Sequence, residues 1–147
     1  MALEDDIRTL GRTPLLDELG RDALRLIAFS ADRLDLADGA VLFREGEDAL
    51  GAFVVVSGFV RLTRSNGASR RVGEGALIGE LALLCETRRP ATAAAEGQAT
   101  VYRIARTLFA RLFDEYPDLA RKLRARIAAR VTTNAEDLKA IEAALRR

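Results

Sequence analysis

Leu77-Ile78-Gly79-Glu80-Leu81-Ala82-Leu83-Leu84-Cys85-Glu86-Thr87-Arg88-Arg89-Pro90-Ala91-Thr92-Ala93-Ala94-Ala95 is the stretch on which the reading of this chain turns. Gly79 stands where an apolar run gives way to Glu80-Leu81-Ala82-Leu83-Leu84, residues that favour helix, so the backbone is predicted to pass there from strand into a helical turn. The first N–H groups of such a turn lack intrahelical partners and suit an anion, and a glycine at the entrance lets a ligand approach the backbone. Arg89 follows within reach, able to close on the same anion with a bidentate guanidinium, and Thr92 adds a hydroxyl. A bare phosphate would be repelled by Glu80. The conflict disappears if the ligand also carries hydroxyls, with the carboxylate accepting from a sugar OH while Arg89 holds the phosphate.

The run Ile78-Gly79-Glu80-Leu81-Ala82-Leu83-Leu84, followed in register by Arg89-Pro90-Ala91-Thr92, resembles the phosphate-binding cassette of the cyclic nucleotide-binding domain family. That family includes regulatory subunits of cAMP-dependent kinase, catabolite activator proteins and cyclic-nucleotide-gated channels. The resemblance implies that Glu80 binds the ribose 2′-OH and Arg89 the cyclic phosphate. Gly79, the N–H groups of Leu81 and Ala82, Ala91 and the Thr92 hydroxyl would complete the cage. Where the family pattern has Pro-Arg, this chain has Arg88-Arg89, and Pro90 lacks the N–H that would otherwise meet the phosphate. Counting without gaps to the last helix, Arg130 falls where some bacterial channel-type members place an arginine against the purine; a solvated basic helix face is the alternative.

The rest of the chain agrees with a small binding module. Its 147 residues are enough for one domain with a real core, and 49% hydrophobic against 31% charged residues predicts a soluble globular class. A net charge of +1 gives no electrostatic footprint for nucleic acid or an acidic membrane. No apolar run is long enough for a span, and no signal peptide opens the chain. The single Cys85 excludes an internal disulfide and points to a reducing compartment, so a cytoplasmic location is expected. With no histidine, hydrolase triads and the usual zinc centres lack parts, and neither an enzymatic activity nor a metal cofactor is expected.

Periodicity supplies the architecture. Leu3, Ile7 and Leu10, then Arg21 to Ala28, read as short helices separated by Thr13-Pro14. From about residue 31 strands alternate with turns at Asp38-Gly39, Glu45-Gly46, Ser57-Gly58, Asn66-Gly67 and Glu96-Gly97-Gln98. Arg106 to Glu115 is helical with Leu108, Phe109, Leu112 and Phe113 on one face, and Pro117 or Asp118 opens a last helix carrying Leu119, Leu123, Ile127 and Val131. The expected fold is α+β, mainly β: an eight-stranded jelly-roll with N-terminal helices, a short cassette helix and a C-terminal helical lid. A single domain is expected over 1–147, with helices in 1–30, the roll in 31–105 with its cassette at 77–95, and helices in 106–147.

Function follows as an expectation. The chain would be a stand-alone sensor that binds a cyclic purine nucleotide, cAMP in preference to cGMP, and shifts its C-terminal helices to signal to an effector protein or to a second copy in a homodimer. With no DNA-binding domain of its own, it would act through that partner. The alternative is a protein-interaction module that keeps the roll without nucleotide, motivated by Pro90. Arg89→Ala is expected to abolish binding, whereas Arg64→Ala is not.

Overall fold

A computed structural model describes residues 2–14 and 16–130 of the chain. Three helical pieces open it: α1 (Ala2–Arg12), a single turn at Leu16–Glu18 and α2 (Arg21–Ser30). Thr13 and Pro14 separate the first two as expected, with the Thr13 hydroxyl donating to the Thr9 carbonyl. Eight strands follow, β1 (Asp32–Leu36), β2 (Val41–Phe43), β3 (Asp48–Ala49), β4 (Gly51–Thr63), β5 (Ser69–Val72), β6 (Leu77–Ile78), β7 (Thr87–Arg88) and β8 (Thr92–Ala105), with a one-turn helix at Glu80–Leu83 between β6 and β7. Helices α3 (Arg106–Glu115) and α4 (Pro117–Arg130) complete the described chain.

All pairings are antiparallel. Strands β1, β8, β4 and β5 lie side by side, β2 joins β8 and β6 joins β4, while β3 and β7 form a separate two-stranded ribbon. This is the jelly-roll expected from the turn spacing. Two expected turns are absent, however. Ser57-Gly58 and Glu96-Gly97-Gln98 lie inside β4 and β8, each continuous over 13 or 14 residues, and the register between them slips around Ser57. Both glycines have positive φ, 79° at Gly58 and 75° at Gly97. The kink re-aims each strand without ending it, because a bulge absorbs the extra residue while the ladder continues on either side.

The first half of β4 is apolar without alternation, because both of its faces are covered. Ala52 and Val54 join one cluster with Leu10, Ile27, Phe109 and Leu123, between the roll and the helices. Phe53 and Val55 point the other way into a second cluster with Phe43, Val60, Ile78, Ala93 and Val101, inside the roll. Leu108, Phe109 and Leu112 of α3 are buried on one face, as their spacing predicts. Leu123 and Ile127 of α4, each 1% exposed, are buried with the N-terminal helices, and Arg126 reaches Asp17 and Glu18 at the surface. Through these residues α4 packs on the helical layer, and among the described side chains none from α4 lines the cavity described below. Val131, the last residue of the expected apolar stripe, falls outside the described residues.

Candidate nucleotide site

Backbone pairing positions Arg89 before its side chain does anything. Strand β7 pairs with β3, Asp48 opposite Arg88 and Ala49 opposite Thr87. The ladder runs on irregularly: the Arg89 N–H donates to the Glu47 carbonyl at 2.8 Å, and the Gly46 N–H donates to the Arg89 carbonyl at 2.9 Å. Strand alternation then sends Arg88 outward, 3.8 Å from Asp48, and Arg89 inward.

Inside, Arg89 is only 6% exposed. Its Nη2 donates to the Gly51 carbonyl at 2.7 Å, and its Cζ lies 4.2 Å from the centre of the Phe43 ring and 5.5 Å from that of Phe53. The two rings, 5.7 Å apart, form an aromatic shelf under the cation. Its Nε and Nη1 are buried with no hydrogen-bond partner among the described residues. Burial lowers the guanidinium from its ordinary pKa to about 10, against the opposing pull of Glu47, so it remains a full cation at neutral pH. A buried cation with two unused donors is costly unless an anion meets it.

The cassette turn stands directly beside those donors. Gly79 adopts the left-handed region, φ 76° and ψ 36°, and caps the one-turn helix at Glu80–Leu83. A Cβ at Gly79 would lie 2.4 Å from Arg89 Nη1, so glycine is required by both the backbone and the guanidinium. The turn's N–H groups are not equally available. Ala82 donates to the Gly79 carbonyl at 3.0 Å, leaving Leu81 as the better placed donor.

Arg89, Gly79, Glu80, Leu81, Ala82 and Ala91 all line one cavity of about 480 Å³, within the usual range for small-ligand sites. Thr92 is not among its lining residues; its hydroxyl oxygen accepts from the Glu45 N–H at 3.0 Å and ties β8 to the turn before β3. Arg130 ends α4, and its side chain lies outside the described residues. Arg64, which nothing in the sequence marked for the site, lines the cavity together with Leu62, Ser69 and Arg70 of the β4–β5 hairpin. The hairpin turn at Asn66-Gly67 folds β5 back so that residues from both of its strands line the same cavity as the cassette. Phe43 was equally unforeseen. A single aromatic residue in a short strand carries no sequence signal for its role under a guanidinium.

A second arginine completes the frame. Arg106, the first residue of α3, donates from Nη1 to the carbonyls of Ala49 at 3.3 Å and Cys85 at 2.9 Å, and its backbone N–H donates to the Leu50 carbonyl at 2.9 Å. With Arg89 on Gly51, three consecutive carbonyls are held by two arginines. Among the described residues no cluster of acidic or cysteine side chains could hold a metal ion, and no helix is long and apolar enough to cross a membrane.

Comparison with known proteins agrees with this geometry. The family profile "Cyclic nucleotide-binding domain" matches residues 33–116. A cyclic nucleotide-binding-like protein from Brucella abortus is 41% identical, covering 75% of this chain and 98% of its own, with a TM-score of 0.67. The N-terminal domain of a transcriptional regulator from Streptomyces coelicolor is 29% identical over 84% of this chain and 90% of its own, with a TM-score of 0.72. The lysophospholipase nte1 of Neurospora crassa is 32% identical over 127 residues, 83% of this chain, but the chain spans only 8% of that protein's length. Profile, relatives and the buried arginine beside the glycine-capped turn coincide, and the chain belongs to the cyclic nucleotide-binding domain family.

Proposed function

We propose that the chain is a regulatory sensor module that binds a cyclic purine nucleotide, with cAMP favoured over cGMP, in the cavity between the Glu80–Leu83 turn and the β4–β5 hairpin. The observation that carries this reading is Arg89: a buried guanidinium with two unpartnered donors, on an aromatic shelf, against the glycine that caps the turn. An anion there meets Nε and Nη1 and the Leu81 N–H at once. Glu80, which lines the same cavity, accepts from the ribose 2′-OH and so excludes 2′-deoxy nucleotides. Gly79 and Ala91 leave room for the phosphate, and Arg130 reaches the purine. Thr92 acts indirectly, by holding the turn that carries Glu47 near Arg89.

In this reading the module is non-enzymatic and cytoplasmic, 1–147 forms one domain, and occupancy shifts the C-terminal helices toward an effector or a second copy of the chain. Lysophospholipid hydrolysis is a property of the whole Neurospora protein and is not carried over, because the match covers so little of it. Titration calorimetry with cAMP, cGMP and 2′-deoxy-cAMP tests the site. Binding of the first two and loss of the third is expected. Absence of heat and of thermal shift at about millimolar ligand, a free energy near 4 kcal/mol, would refute nucleotide binding in favour of a protein-interaction role.

A further inference from the structure

The arginines of the β4–β5 hairpin sort by face. Arg61 and Arg71 are register partners, and both are engaged: Arg61 reaches Glu96 at 3.1 Å and the Ser69 hydroxyl at 2.9 Å, while the Arg71 guanidinium lies 4.4 Å from the centre of the Phe59 ring. Leu62 and Arg70 are the adjacent register partners and by alternation lie on the other face, where both line the cavity. Arg64, just past the end of β4, lines it too. Among the described residues neither the Arg64 nor the Arg70 side chain has an ion-pair, hydrogen-bond or ring partner. Glu45, which reaches toward this end, accepts from the Ser65 N–H at 3.0 Å and is not part of the lining.

Four arginines and one carboxylate therefore line one cavity. Arg88 is near Asp48, which leaves Arg89 at the cassette end and Arg64 with Arg70 at the hairpin end. A cyclic mononucleotide carries a single negative charge. Held by Arg89, it leaves the two exposed arginines at the hairpin end of the same cleft without a counter-charge from the ligand. The geometry points to a ligand that carries a second phosphate facing the hairpin, with the 3′,5′-cyclic dinucleotides as its chemical class. Each phosphodiester of such a ligand has a free 2′-OH beside it, so Arg89 and Glu80 take one nucleotide as in the reading above, on which this inference rests. Arg64 and Arg70, both exposed and free to swing inward, take the second phosphate.

The test titrates the full chain with cAMP, cGMP, cyclic di-AMP and cyclic di-GMP at about 0.15 M salt, where surface steering is already damped. At least one dinucleotide is expected to bind about 10-fold or more tightly than both mononucleotides, the increment of one added charge-assisted contact. The double variant Arg64→Gln, Arg70→Gln is expected to remove that margin and bring the dinucleotide to the level of the mononucleotides. Both side chains are exposed, and a melting curve matching the parent's confirms the fold. Mononucleotides binding as tightly as both dinucleotides would overturn the inference while leaving the site intact, and so would a loss on double substitution confined to cGMP, which would make the hairpin a reader of the base edge. No binding by any of the four would sink the site itself, and this inference with it.

Discussion

Replacing Arg89 with methionine separates binding from folding. In the protein as it stands, Nε and Nη1 are buried without partners, each at a cost of about 1–3 kcal/mol. Arg89→Met removes both costs. Against that, it gives up the bond from Nη2 to the Gly51 carbonyl, about 1.5–3 kcal/mol for a charged donor, and the cation's contact with Phe43, about 0.5–2 kcal/mol. The thioether can rest on the same ring. Gains and losses are of similar size, so the stability of the ligand-free protein is expected to stay within about 1–2 kcal/mol of the parent. Breaking a conventional buried ion pair costs about 3–5 kcal/mol instead. Binding responds differently, since truncating one partner of a buried charge contact costs about 2–5 kcal/mol, roughly 30-fold to several thousand-fold in Kd. Urea melts with and without cAMP read both quantities. A variant that unfolds about 3 kcal/mol more easily and still binds within roughly threefold of the parent would refute the reasoning, because Arg89 would then be a structural strut.

Four further outcomes are expected. The Arg89 pKa is lowered to about 10, so the unfolded chain holds its proton more tightly and stability gains from this group only as pH rises past about 10; ligand affinity is flat between roughly pH 6.5 and 9, and a step in that window, measured by calorimetry, would contradict Arg89 as the cation. Gly79→Ala forces a side chain into the left-handed region at about 1–2 kcal/mol and displaces Arg89 Nη1, so melting falls and affinity drops about 10-fold or more; unchanged affinity would place the phosphate elsewhere. Pro90→Ala supplies an N–H at the cavity wall and should tighten binding about 10-fold, a gain that isothermal titration would detect directly. Arg106→Met loses the bonds to Ala49 and Cys85 and should cost about 1.5–3 kcal/mol in urea unfolding, with a smaller loss counting against its role as a clamp.

The fold and the cassette were legible because their signals are local. Asp38-Gly39, Glu45-Gly46 and Asn66-Gly67 mark turns by the backbone conformations they permit, and the helix at Arg106–Glu115 shows its buried face in its spacing. Gly58 and Gly97 mislead for the same reason. A positive φ serves a bulge as well as a turn, and only the partner strand decides which. At the site, Gly79, Glu80 and Arg89 were readable from one short stretch. The shelf formed by Phe43 and Phe53, the Arg64 and Arg70 wall, and the diversion of the Thr92 hydroxyl to the Glu45 N–H all depend on pairings between residues far apart in sequence, which no local pattern encodes.

The carbonyl run at Ala49-Leu50-Gly51 offers a practical handle. Gly51 is gripped by the arginine that meets the ligand and Ala49 by the arginine that starts α3, while the Leu50 side chain between them is 72% exposed. The chain's one natural thiol, Cys85, is buried. A cysteine introduced as Leu50→Cys would therefore take a fluorophore selectively at the joint where the cavity meets the helices, turning this small domain into an optical gauge of nucleotide concentration.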